Sequence, residues 1–223
     1  MKRVLLLLAL AATPAGATDV ELLVDRLPTG ISIYMRMPAG EVEPVLGRNG
    51  DELLTDGRVD YAAMRDGTFE AADRLFARVD TEVAGTPVVF EALSLMVHQP
   101  DTNIPFSSPF DADMAIAVCN APTDETVTLA DLDLMAGFYA HRVDSMAEIA
   151  LDLPETGRPA IDVSVIEFVE GAEVRRSEHT LDDGARLVLP PAPEALPKTA
   201  IAAIGSIAAL LFAVAWTGVR RTG

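Results

Sequence analysis

Cysteine occurs once in these 223 residues, lysine only at positions 2 and 198, and histidine only at 98, 141 and 179. A single thiol, Cys119, cannot close a disulfide within the chain, so packing and polar contacts have to hold the fold. Its neighbours Ala115 to Val118 read as a buried strand, which makes Cys119 a core thiol. The isolated histidines lack the close ligand spacing of a zinc site. There is no Gly-x-Gly-x-x-Gly, no Walker loop and no Gly-x-Ser-x-Gly elbow, so nothing points to a nucleotide cofactor or a hydrolase nucleophile.

Positive charge is also scarce between the two ends. Residues 18–197 hold 12 basic residues, all arginine, against 34 acids, a net of −22. A domain this acidic repels phosphate backbones and anionic headgroups, which excludes nucleic acid as a natural partner and leaves cations or basic partners open. Its first reading is a well-solvated surface.

The apolar residues are concentrated at the ends. Lys2 and Arg3 precede the run Val4 to Ala12, which is too short to span a bilayer, and Pro14 and Ala15-Gly16-Ala17 follow in the pattern of a signal-peptidase site. Residues 1–17 are therefore expected to be a signal peptide. Thr199 to Val219 carries no charge, and only Thr199, Ser206 and Thr217 bear hydroxyls. At 1.5 Å per residue it spans about 30 Å, enough to cross a membrane as one helix. Lys198 lies before it, and Trp216 with Arg220-Arg221 lies at its end, so the positive-inside rule predicts a cytoplasmic tail at 220–223. Gly205, Ala209 and Ala213 share a small-residue face on this helix that would admit another helix closely. Pro190, Pro191, Pro193 and Pro197 make residues 190–198 a stiff stalk.

Residues 18–189 read as one exported, β-rich domain. Val20 to Val24 and Ile31 to Met37 flank Leu27-Pro28-Thr29-Gly30, the pattern of a hairpin, and Ile31, Ile33, Met35 and Met37 alternate with polar neighbours. Further strands are expected at 88–97, 114–119, 149–153, 161–169, 174–180 and 186–189, the last three as a meander punctuated by Glu170-Gly171 and Asp183-Gly184. Asn49-Gly50, Asp56-Gly57 and Asp66-Gly67 make residues 47–67 turn-rich. Phe69 to Val79 reads as the single helix, capped by Asp66 or Thr68, with Phe69, Ala72, Leu75, Phe76 and Val79 inward. Residues 129–140 fit helix and strand alternation alike, with a lean to strand. Strands without β-α-β alternation predict an antiparallel sandwich with one short inserted helix. The pattern resembles the immunoglobulin-like class, although the Cys-Trp-Cys signature is missing. From Pro193 onward, Pro193-Glu194-Ala195, the membrane helix and Arg220-Arg221 also resemble the carboxyl-terminal sorting tails of some bacterial exported proteins. That resemblance implies a processed tail as an alternative to a retained anchor.

Candidate chemistry is sparse. Met96-x-His98 and Met35-x-Met37 could offer thioether and imidazole ligands to copper, since positions two apart on a strand share a face. Asp111-x-Asp113 and Asp131-x-Asp133 pair carboxylates without completing a calcium loop. Ser107 and Ser108 lie near Asp111 with no motif-linked histidine. The expectation is a noncatalytic, cofactor-free domain anchored in a bacterial cytoplasmic membrane, facing the periplasm and binding a membrane protein or envelope complex. Copper handling by Met35, Met37, Met96 and His98 is the alternative. A reporter that works only outside the cytoplasm should be silent when fused after Gly223; activity there would reverse the assigned orientation.

Overall fold

The computed structural model describes residues 20–41, 54–55, 58–59, 61–99, 104–118, 131–153 and 159–193. The chain divides into two units, Met1–Ala192 and Pro193–Gly223, and the fold below is that of the first. The expected signal peptide, Cys119, and the helix 199–219 with Gly205, Ala209 and Ala213 lie outside the described residues. Among the described residues no helix is long and apolar enough to cross a membrane.

In chain order the elements are β1 (Val20–Leu27), β2 (Gly30–Pro38), β3 (Leu54–Thr55), β4 (Arg58–Val59), α1 (Tyr61–Phe76), β5 (Asp80–Val83), β6 (Thr86–Pro87) and β7 (Glu91–His98). They continue with α2 (Pro109–Ala117), β8 (Asp133–His141), β9 (Ile149–Asp152), β10 (Ala160–Val169), β11 (Ala172–Asp182) and β12 (Arg186–Leu189). Six strands form one sheet in the order β11-β10-β1-β2-β8-β7, and four form a second in the order β12-β9-β5-β6. The domain is mainly β, with two sheets and few helices, as the alternating patterns imply.

Five local expectations are corrected. The large sheet is mixed rather than wholly antiparallel: β1 runs parallel to β10, with Val20 beside Val163 and Arg26 beside Val169. Most of the chain intervenes between these two strands, which is the length a parallel pairing requires. There are two α-helices among the described residues, not one. α1 starts at Tyr61, so Asp66, Gly67 and Thr68 lie inside it instead of capping it; Ala71, Ala72, Leu75 and Phe76 face inward and Phe69 is 61% exposed. Residues 114–117 are the end of α2 rather than a strand, because Ser108 caps that helix by accepting the Asp111 N–H at 3.2 Å and Pro109 stands in its first turn. The final meander breaks at β12, which leaves β11 and pairs with β9 in the other sheet.

The central strands of the large sheet are buried on both faces. Leu22, Val24, Ile31, Ile33, Met35, Leu134, Ala136, Phe138, Val163 and Val165 meet Val83, Ile149, Leu151 and Leu187 of the small sheet and Leu75 and Phe76 of α1. On the reverse face Leu23, Tyr34, Met135, Ile166 and Phe168 lie under Ala112, Ala115 and Ile116 of α2. Gly137 on β8 gives this second layer room, since a Cβ there would fall 2.6 Å from Ile116 Cδ1.

One charged group sits in the apolar register. Arg26 follows Val20, Leu22 and Val24 on the same face of β1 and is 1% exposed. Its five N–H bonds are all used. Nε and one Nη2 hydrogen donate to Glu167 Oε2 at 3.0 and 2.8 Å, Nη1 donates to the carbonyls of Ser145 and Ala147 at 2.7 Å each, and Nη2 also reaches the Pro190 carbonyl at 3.1 Å. Arg175 of β11 donates to the other Glu167 oxygen and to the Pro190 carbonyl. Replacing Arg26 by Ala leaves the buried Glu167 with Arg175 alone and three carbonyls without their donor, and should lower unfolding free energy by about 3–5 kcal/mol. Urea denaturation checks this, with Arg26→Met plus Glu167→Leu expected to lose much less; equal losses would show that the charges are not coupled.

Candidate functional site

The described surface has a cleft with both an apolar floor and a charged wall. Strand β5 alternates Asp80, Thr81, Glu82, Val83, and pairing with β9 turns Thr81 and Val83 inward while Asp80 stays exposed and Glu82 is part-exposed. The register then sets Arg186, Asp152 and Asp80 side by side across β12, β9 and β5. Two carboxylates directly opposite one another, Asp80 and Asp152, are unfavourable by themselves.

Arg186 offsets part of that repulsion. Its Nε and Nη2 donate to the two Asp152 oxygens at 2.9 and 3.1 Å, and Nη1 and Nη2 donate to Glu82 at 3.2 and 3.0 Å. These hydrogen bonds hold the Asp152 carboxyl below the usual carboxylate range and push the Arg186 guanidinium up. Asp80 has no share in this guanidinium, and Asp73 on α1 faces the same space.

The cleft has a volume of about 690 Å³, and its apolar part is made by Phe76, Val79, Val88, Val89 and Phe90. Phe76 anchors the floor, with ring centroids 5.2 Å from Phe90 and 4.1 Å from Phe138 of β8. Val89 is 88% exposed on the wall. Four carboxylates (Asp73, Asp80, Glu82, Asp152) against one guanidinium leave the lining at a net of −3. A cavity of this size with an apolar floor and a few charged groups suits a ligand segment that combines an apolar stem with positive charge.

The residues singled out for copper are placed differently. Met35, Met37 and Met96 are all buried in the core between the sheets. His98 stands across from Asp133 in the β7–β8 register, and its Nε2 donates to the Ala115 carbonyl of α2 at 2.7 Å. That bond fixes the tautomer, and Nδ1 is buried without a partner. Among the described residues, no group of three or more His, Cys, Asp or Glu could hold a metal ion.

The acidic pairs and serines near α2 have structural partners. Asp113 accepts from the Tyr34 hydroxyl at 2.6 Å, and Asp133 accepts from Arg36 at 2.9 and 3.1 Å. Ser107 donates to Asp111 at 2.8 Å, and together with the Ser108 cap it pulls the Asp111 carboxyl below its ordinary range. Sequence reasoning missed Asp80 and Glu82 because β5 has only four residues. Their alternation with Thr81 and Val83 was the available sign. No family model and no curated protein matches this chain.

Burial holds His98 neutral by pushing its pKa below the ordinary value of about 6.5. The unfolded chain then takes up the proton first, so stability should fall as pH drops below about 6.5 and continue falling to the lower folded value. Urea midpoints between pH 7.5 and 5.5 test this: His98→Gln should flatten the slope, and an unchanged slope would assign the loss to other groups.

Proposed function

We propose that this chain is a noncatalytic domain held on the outer side of a bacterial cytoplasmic membrane, where it binds a basic segment of a membrane or envelope protein. The observation that carries the reading is the cleft between α1 and β5, with its apolar floor of Phe76, Val79 and Phe90 and its carboxylates Asp73, Asp80, Glu82 and Asp152. An arginine or lysine of the partner can lay its methylene stem along Val89 and Phe90 and set its charge near Asp80, whose neighbour Asp152 is already committed to Arg186. The acidic excess of residues 18–197 supports a basic partner, both by steering its approach and by discouraging acidic competitors.

The signal-like residues 1–17 and the apolar run 199–219 support the location and single-pass anchorage. In this reading the sandwich is immunoglobulin-like, residues 190–198 form the stalk, and the chain works without a cofactor. The buried places of Met35, Met37 and Met96 as core side chains favour this over copper handling.

Asp73 and Asp80 can be neutralised without disturbing Arg186. Rim ion pairs contribute about 0.2–1 kcal/mol each, so Asp73→Asn with Asp80→Asn should reduce recovery of the partner by the full chain from solubilised membranes roughly three- to tenfold at low salt. The same loss should appear in the unaltered chain as salt is raised. Unchanged recovery by the double variant would remove the cleft from the binding surface.

A further inference from the structure

The two sheets present four edges, and three of them are blunted. β6 has two residues, one of them Pro87, which has no N–H to donate outward. β12 has four residues. β7 is flanked by both helices, which pack against it. β11 is different. It is eleven residues long, contains no proline, and pairs only with β10 among the described strands. Its register shift falls at its start, where Arg175 lies across from Glu167 and Glu173 from Phe168, so residues 175–182 run as regular strand. An edge of this length leaves a row of N–H and C=O groups open to another strand.

The side chains on this edge say which strand fits. Arg176 and Glu178 flank Ser177, and both are exposed. An antiparallel second copy centred on Ser177 sets Arg176 of one chain opposite Glu178 of the other, twice, about a two-fold axis. Moving the centre one residue in either direction sets Arg176 against Arg176 or Glu178 against Glu178, so the charge pattern selects this register over its immediate neighbours. We propose that β11 is a homodimer edge, and that two copies of this chain join their six-stranded sheets through antiparallel β11 pairing centred on Ser177.

The residues that hold the monomer together are not consumed by this pairing. Arg175 keeps its bonds to Glu167 and to the Pro190 carbonyl on the inner side of the strand. Arg176 gives up only an exposed contact with Glu173 at 3.2–3.3 Å, an interaction of little value in water. Since Pro190 is bound from β11 itself, the segments leading out of both domains begin beside the shared edge. A single strand pair buries less than the roughly 1,200–2,000 Å² of a standard interface, so the association is weak between free domains. Confinement to one bilayer raises the effective concentration, and for that strength, though not for its geometry, the dimer rests on the proposed anchor.

The test uses the full chain with Cys119→Ser to remove the native thiol. Ser177→Cys should give a disulfide-linked dimer on mild oxidation with diamide, read on non-reducing gels, whereas a cysteine placed at Val89 should not. Adding Arg176→Glu sets Glu against Glu twice and should lower the cross-linked fraction about tenfold, and combining it with Glu178→Arg should restore it to near the starting level. Restoration by the swap separates a broken interface from a misfolded chain. The cross-link is read in whichever fraction, membrane or soluble, contains the chain, so a failed anchor is not mistaken for a failed dimer. No dimer at Ser177, or a dimer indifferent to both charge changes, would overturn the proposal.

Discussion

The buried pair of Arg26 and Glu167 is the constraint on which the rest of this domain depends. An arginine inside a β core is expensive unless every donor is satisfied, and here all five are. The partners come from separate parts of the chain: Glu167 from β10, carbonyls from the loop after β8, and Pro190 from the exit of β12. One side chain therefore ties both sheets and the departing chain to the same point on β1. In a domain whose only thiol is Cys119, this clasp does by hydrogen bonding what a disulfide does elsewhere. Its own strength against an apolar replacement is modest, but its loss on one side is severe, which makes it a specifier of geometry more than a source of net stability.

The clasp works because the large sheet is enclosed. Strands β1, β2 and β8 are buried almost continuously, with one face against the small sheet and α1 and the other under α2. Low local dielectric strengthens the Arg26–Glu167 bonds and raises the penalty for leaving either partner bare. α2 lies close over Gly137, where an added Cβ would oblige the Ile116 side chain to shift. The same burial explains His98, which desolvation holds neutral beneath this helix against the opposing pull of its bond to the Ala115 carbonyl.

Strand content was the most legible property. The alternation of Ile31, Ile33, Met35 and Met37 and the Glu170-Gly171 turn correspond to β2 and to the β10–β11 connection, where Glu170 and Gly171 have φ of 50° and 77°. Local pattern carries such information because it depends on neighbours in the chain. What was not legible is long-range. Nothing near Val20 announces a parallel partner at Val163, and at Met114 alanine and isoleucine suit strand and helix alike, so that only the Ser108 cap and Pro109 upstream marked the helix. Arg26 was visible as a charge at the fourth place of an apolar alternation, yet its significance depends on Glu167, a partner 141 residues away. The cleft was hidden for the same reason, because Asp80 and Asp152 become neighbours only through the β5–β9 register.

Strand β12 connects the clasp to the cleft. Arg186 at its start is held by Asp152 and Glu82, and Pro190, just beyond its end, is held by Arg26 and Arg175. A pull on the chain beyond Ala192 is met first by the Ala192 N–H bond to the Met146 carbonyl, then by the two guanidinium contacts at Pro190 and the β12–β9 ladder, before it reaches the carboxylates that line the cleft. The cleft can therefore keep its geometry while the segment beyond it is under load. For the proposed stalk at residues 190–198, this order of contacts would set the firmest polar anchorage at the exit and the exposed charges upstream of it.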